Sequence, residues 1–298
     1  GCGGEGHSDL PGPRRLVSEV IVAHFSDIHF GGRADLRQLA TLEEYLPALK
    51  PGLIVVSGDL TQRARHGEFQ AAARYLEGLR RTAPVHVILG NHDVQWWRSP
   101  FGIFGRRPLY GKWRHYFGED LGPVLELDHV VAAGMCSAYG VAFGSLTANP
   151  NDMAVRGHLP HEEVRRVRAV FARVPPGKLR IAVLHHNVLP GVISRRWGLA
   201  RPHTAQAGLL SLGADVVLCG HDHTEGAGQI DGRLAVSTAG THSTRTRGGR
   251  PGAFNLIRID ERQIHIEHHV YRREERTFRR GQTATFPRTR DAAGSVAQ

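Results

Sequence analysis

Lysine is nearly absent from this chain. Of 298 residues only Lys50, Lys112 and Lys178 are lysine, so the formal net charge of +10 rests almost entirely on arginine. Such an excess suits nucleic acid or small anionic partners, but an arginine-only excess also follows from a general composition bias, and a nucleic-acid surface is not favoured on this ground. Cysteine is scarce as well. Cys2, Cys136 and Cys219 are too few and too scattered for a disulfide framework, and no cysteine stands in a cluster that could build a thiolate metal site. Cys219 ends an apolar run, where a reduced thiol fits, so a reducing cytoplasm is the expected compartment, with export as the alternative. Long apolar runs are missing: Leu53 to Val56 and Val216 to Leu218 fall far short of the roughly 18 residues that cross a bilayer, so no membrane span is expected. The chain opens Gly1-Cys2-Gly3-Gly4 with neither an initiating Met nor a basic-then-apolar leader, which points to trimming or to removal of a leader. Histidine, by contrast, is in surplus at 19 residues, several of them in short clusters.

Three regions follow from the pattern along the chain. Residues 1–18 are rich in Gly, Pro and Arg without apolar period and read as a flexible leader; residues 19–270 form the folded domain; residues 271–298 read as an Arg-rich, solvated tail that contributes nothing to a site. Within the domain, Val20 to Phe25, Leu53 to Val56 and Val85 to Leu89 read as buried strands. Between them, helices are expected from Asp35 to Leu49, with Leu36, Leu39, Leu42 and Leu46 at helical spacing, and from Glu68 to Arg81. This β-α-β-α-β order predicts a mainly parallel sheet. Val94 to Gly118 mixes aromatics with Arg and Gly at weak periodicity and reads as a long excursion. Strands at Val130 to Ala133, Tyr139 to Phe143, Leu179 to Leu184 and Asp215 to Cys219 follow, with helices at Pro160 to Arg173 and His203 to Leu212. Arg233 to Thr238, Ala253 to Ile259 and Gln263 to Val270 suit a second, antiparallel-rich sheet. The fold class expected is α/β, a two-sheet sandwich flanked by helices.

Polar clusters stand where five of these buried strands run out, which is where α/β sheets place ligand sites. They are Ser26-Asp27-Ile28-His29, Ser57-Gly58-Asp59, Gly90-Asn91-His92-Asp93, Leu184-His185-His186-Asn187 and Gly220-His221-Asp222-His223. Each piece alone is weak, since a lone His is more often structural than a ligand; five in order, each directly after an apolar run, form a pattern.

In order and content these blocks resemble the calcineurin-like metallophosphoesterase superfamily, over about Val20 to His223. The resemblance implies a double β-sandwich with a dinuclear metal site at the C-terminal ends of the strands. It further implies that Asp27, His29 and His223 hold one ion, that Asn91, His185 and His221 hold the other, and that Asp59 bridges them. His186 competes with His185, the first being preferred. Divalent Mn, Fe, Zn or Co accept such mixtures of carboxylate, imidazole and amide oxygen. Two carboxylates against two divalent ions leave a net positive site whose natural guest is a small anionic phosphoester. His92 is implied to contact the phosphate and protonate the leaving oxygen, and Asp93 to orient a neighbouring ring.

Purple acid phosphatases of that superfamily place a tyrosine three residues after the bridging Asp; Gln62 stands here, against an iron–tyrosinate centre. The pattern is closer to the bacterial class III cyclic-nucleotide phosphodiesterases, although Asn187 replaces their usual Pro after the His pair. Hydrolysis of a small phosphodiester such as a cyclic nucleotide is therefore expected, with Trp96, Trp97, Arg98 and Arg195 lining the mouth to stack on a base and hold phosphate. A DNA nuclease, a lipid or nucleotide pyrophosphatase and a phosphomonoesterase of the same superfamily are the enzymatic alternatives. A metal-free scaffold is the non-enzymatic one, disfavoured because every ligand position is filled.

Overall fold

The computed structural model describes residues 19–95, 98, 103, 107–140 and 155–289. Trp96, Trp97, the residues 1–18 read as a leader, and residues 141–143 of the strand expected at Tyr139 to Phe143 lie outside the described residues.

Strands β1 (Val20–Phe25), β2 (Leu53–Val56) and β3 (Val85–Val87) are parallel neighbours. β1 and β2 are apolar on both faces because both faces are covered. Val22, Leu53 and Val55 point between the sheets, while Ala23, Phe25, Ile54 and Val56 pack under helices α1 (Leu36–Leu49) and α2 (His66–Arg80). Asp35 caps α1 by accepting from Gln38 N, satisfying one of the free N–H groups of the first turn. The stretch read as a long, partly ordered excursion contains a third helix, α3 (Arg107–Phe117). Its Tyr110 and Trp113 are buried in the same core.

The second sheet contains β4 (Val124–Glu126), β5 (Val130–Met135), β6 (Leu179–Leu184), β7 (Val216–Cys219), β8 (Gly226–Ile230) and β9 (Leu234–Thr238), in the order β4-β5-β6-β7-β9-β8. Helices α4 (His161–Ala172) and α5 (Pro202–Leu210) cover its outer face. The first sheet is completed by β10 (Ala253–Ile259), β11 (Gln263–Arg272) and β12 (Thr277–Pro287), in the order β12-β11-β10-β1-β2-β3. The result is a helix–sheet–sheet–helix sandwich, the α/β class expected. The three strands expected to build a separate antiparallel sheet are divided between the two: β9 pairs parallel with β7, while β10 pairs antiparallel with β1. Short strands carry little local information about partners, so pairing is settled by non-local burial. Among the described residues no helix is long and apolar enough to cross a membrane.

The C-terminal stretch read as a solvated tail differs most from expectation. Its residues 277–287 form β12, an edge strand paired along the whole of β11. Phe278 is buried against Tyr45, Phe254 and Tyr271. Arg288 Nε donates to Asp215 Oδ1 at 2.7 Å in a buried ion pair across to the second sheet. The strand carries little apolar alternation in sequence because its outward positions are Arg, Gln and Thr, as befits an edge that must not recruit another chain. Phe278→Ala is accordingly expected to lower unfolding free energy by about 3–5 kcal/mol, and deletion from residue 277 onward to cost more. A denaturant midpoint for the truncated chain equal to that of the full chain would return the segment to the status of a tail.

Candidate metal centre

The parallel strands bring their C-terminal ends to one edge of the sandwich. A bridge between Ser26 and Thr241 joins the ends of the two sheets there. Chain reversal at those ends is tight. Asp27, His29, Asp59, His221 and His223 all have positive φ, between 53° and 71°. Asp and His tolerate this region better than most residues, but it is strained, and strain of this kind persists where surrounding structure imposes it. Two glycines allow the close approach. A Cβ on Gly90 would collide with the Asp59 carboxylate, and one on Gly58, itself at φ 96°, would sit 2.7 Å from His185 Nδ1.

Two groups of donor atoms result. In the first, Asp27, His29, Asp59 and His223 offer atoms all within 4.8 Å of one another. His223 Nε2 lies 3.1 Å from Asp27 Oδ1 and 3.2 Å from His29 Nε2, and His29 Nε2 lies 3.7 Å from Asp59 Oδ2. In the second, Asn91 Oδ1 is 3.1 Å from both His185 Nε2 and His221 Nδ1. Asp59 Oδ2, 3.4 Å from His185 Nε2, thus faces both groups. Donors around a divalent ion at about 2.0–2.2 Å stand roughly 3–3.5 Å apart, which these spacings match except that between His29 and Asp59, slightly longer at 3.7 Å. Asp27 Oδ1 meets the ring nitrogens of His223 at 3.1 Å and of His29 at 3.7 Å. The donor set and its spacing fit divalent cations.

The rings are aimed from behind. His185 Nδ1 donates to Ser57 O at 2.7 Å, and His223 Nδ1 donates to Arg245 O at 2.7 Å, so each turns Nε2 to the cluster. His186 is different. Its donor atoms also lie near those of His185 and His221, but Nε2 donates to Val155 O at 3.1 Å and Nδ1 meets Ser137 Oγ at 2.8 Å, so both nitrogens are engaged elsewhere. Beneath the cluster, buried His24 bonds Ser237 Oγ and Ser57 Oγ and ties the two sheets under the site.

The electrostatics are those of an anionic pocket. Burial disfavours the Asp27 charge, but His223, His29 and His185 outweigh it and hold the carboxyl well below its usual range. Asp59 is likewise depressed, with burial opposed chiefly by His185 and His92. Burial alone would lower His185, but Asp59 pushes it up to about 9, while burial and then His185 push His221 down to about 3. The two carboxylates draw protons onto the neighbouring rings, so loading with a cation would release protons.

Asp93 does not orient a ring as expected. Burial and then Asp59 raise it to about 6, and its oxygens accept from Thr61 N and Oγ1, both at 2.8 Å, and from Gly90 N at 2.9 Å. It therefore clamps the second strand-end loop to the third. His92 stands at the open side, its N–H donating to Asp59 Oδ1 at 2.8 Å and its ring edge-on to His29 at 4.8 Å between centroids. Arg98 and Arg195 are exposed, and among the described contacts neither side chain touches the cluster. Trp197 packs on His203. Arg245, whose guanidinium reaches His92 Nε2 at 3.2 Å, was not singled out from sequence. It is one arginine among many in an arginine-rich chain, and no strand-end block contains it.

Fold and cluster together define a two-sheet α/β protein with paired sets of candidate metal ligands at its strand ends. The chain belongs to the calcineurin-like phosphoesterase family, whose pattern it matches over residues 21–225. It is similar to a Caenorhabditis elegans protein named as a metallophosphoesterase, 34% identical over 74 residues, 25% of this chain and 15% of the relative. It is also similar to the glycerophosphodiester phosphodiesterase GpdQ of Enterobacter lignolyticus, 36% identical over 89 residues, 25% of this chain and 30% of the relative. The chain thus spans less than a third of the length of either. Among solved structures, a dimetal phosphatase from Danio rerio aligns with TM-score 0.59 at 14% identity, over 92% of this chain and 100% of that one. At that identity the likeness is one of fold.

Proposed function

We propose that this chain hydrolyses small phosphodiesters, cyclic nucleotides among them, with two divalent ions drawn from Mn, Fe, Zn or Co. Asp27, His29 and His223 would hold one ion, Asn91, His185 and His221 the other, and Asp59 would be shared. The observation that carries this reading is the place of Asp59 Oδ2, within 3.7 Å of His29 Nε2 on one side and 3.4 Å of His185 Nε2 on the other. Bound there, such a pair supplies Lewis acidity toward phosphoryl oxygens and activates water for in-line attack.

The chain's own residues do the rest. Ser57 O and Arg245 O keep His185 and His223 in the tautomer that presents Nε2. Asp93 holds the loops of Asp59 and Asn91 together. His92, at the open side, would meet the phosphate and protonate the leaving oxygen. A small diester is preferred over DNA because a quarter of this chain is similar to a glycerophosphodiester phosphodiesterase, and because the basic charge is not concentrated in any strand-end block. The test is a panel on the Mn-loaded chain: cyclic nucleotides, aryl diesters, monoesters, single-stranded DNA and nucleotide sugars. A small diester should show the highest kcat/KM, with little change between 50 and 200 mM salt, whereas cleavage of DNA would collapse over the same range. Preference for a monoester or a pyrophosphate would overturn the reading.

The two adjacent histidines are separable. His185→Ala is expected to weaken metal binding by more than the roughly 10–100-fold that loss of an outer partner costs, and His186→Ala by no more than that. Metal titrations of both variants check this, and the reverse order would transfer the ligand role to His186.

A further inference from the structure

The candidate ligands would hold cations, and His92 faces an incoming anion. The segment after β9 adds a second group. Thr241 Oγ1 donates to Asp27 O at 2.7 Å, Ser243 bridges Ala34, and Thr244 N donates to Arg33 O at 2.7 Å. Arg245 N donates to Ser243 Oγ at 3.2 Å, and Arg247 Nε donates to Asp222 O at 2.6 Å. The segment is therefore pinned on both sides of Arg245, through Thr241, Ser243 and Thr244 to the loop after Asp27 and through the Arg247 side chain to the loop that carries His223. The Arg245 carbonyl accepts from His223 while its side chain extends, exposed, to His92.

What the guanidinium faces is the informative point. Arg247 lies 3.7 Å from the Asp222 carboxylate and Arg250 lies 3.1 Å from that of Glu225. Among the described residues no carboxylate faces Arg245, and its side-chain partner is an imidazole nitrogen. A guanidinium can only donate, so His92 Nε2 accepts, and His92 Nδ1 in turn donates to Gln62 O at 2.8 Å. An arginine fixed beside a candidate phosphate contact, with no anion of its own, has the planar donor fork that phosphoryl oxygens match.

We propose that Arg245 is a substrate-binding residue of this site: its guanidinium turns from His92 Nε2 to the non-bridging oxygens of the phosphoryl group. This rests on the phosphoester reading above. The experiment uses the metal-loaded full chain, with inorganic phosphate as the probe in calorimetry and a small diester in kinetics, for wild type, Arg245→Ala and Arg245→Lys. Arg245→Ala should weaken phosphate roughly 10- to 100-fold, the range of a lost charged hydrogen bond. KM for the diester should rise by a similar factor, kcat should fall much less, and metal content should stay at the wild-type value. Arg245→Lys, which keeps charge but not the fork, should recover part of the loss. Phosphate affinity equal to wild type in both variants overturns the proposal. So does loss of metal in Arg245→Ala, which would mean that the side chain serves only to set the loop whose carbonyl orients His223. If wild type itself neither binds phosphate nor cleaves any diester, the functional reading fails and this proposal with it.

Discussion

Replacing Asp59 with alanine is expected to leave the chain unable to hold two divalent ions and to remove diester turnover, a loss well beyond the roughly 10–100-fold of an outer-partner change. The reason is geometric. Asp59 Oδ2 is the atom within 3.7 Å of His29 Nε2 and 3.4 Å of His185 Nε2, so both sets of donors share it. Without that carboxylate two dications would face each other with no anion between them, and repulsion in a buried site is strong. The other oxygen, Oδ1, accepts the His92 N–H at 2.8 Å, so the same substitution also loosens the candidate acid. Asp59→Asn keeps the shape and that acceptor while removing the charge, and should fail almost as badly. Metal content after gel filtration, with a thermal melt to verify folding, decides the matter; two tightly held ions in Asp59→Ala would sink the shared role.

His92→Ala is expected to show an effect that depends on the leaving group. An imidazole that protonates a departing oxygen matters when that oxygen is a basic alkoxide such as ribose, and little when it is a nitrophenolate that leaves as the anion. Hydrolysis of a cyclic or alkyl diester should therefore fall by roughly 10²- to 10⁴-fold, and that of a nitrophenyl diester much less. In the substrate-free chain His92 Nε2 accepts from Arg245. The acid role thus requires that the guanidinium move to the phosphate and that Nε2 take a proton from solvent. Measuring kcat/KM for both substrates in wild type and variant, at equal metal occupancy, separates the cases. Equal losses would leave His92 as a phosphate contact.

The parts of the molecule that announced themselves in sequence did so through burial. β1, β2, β6 and β7 are covered on both faces, so they appear as mostly apolar runs, broken only by His24 in β1 and Arg180 in β6, and the polar residues that end them stand out. β12 and α3 were obscure for the opposite reason. β12 buries Phe278 while most of its other residues face outward, and the buried residues of α3 are diluted by Arg, Gly and Lys. The division of β9 and β10 between two sheets left no local trace, since either pairing buries the same kind of strand.

The same division runs through the candidate centre. Sequence alone determined which donors are available and in what order they arrive, because only residues directly after buried strands can gather at one edge of a sandwich. It did not determine where those donors point. His185 and His186 are adjacent and chemically identical, yet the first turns Nε2 inward because Ser57 O, 128 residues away in sequence, accepts from Nδ1. The second is held off by Ser137, 49 residues away, and by Val155. Arg245 reaches the site only because the end of β9 is bridged to the end of β1 through Thr241 and Ser26. A ring's direction is set by the partner of its far nitrogen, and those partners come from other strands, so tertiary structure alone chose among the histidines.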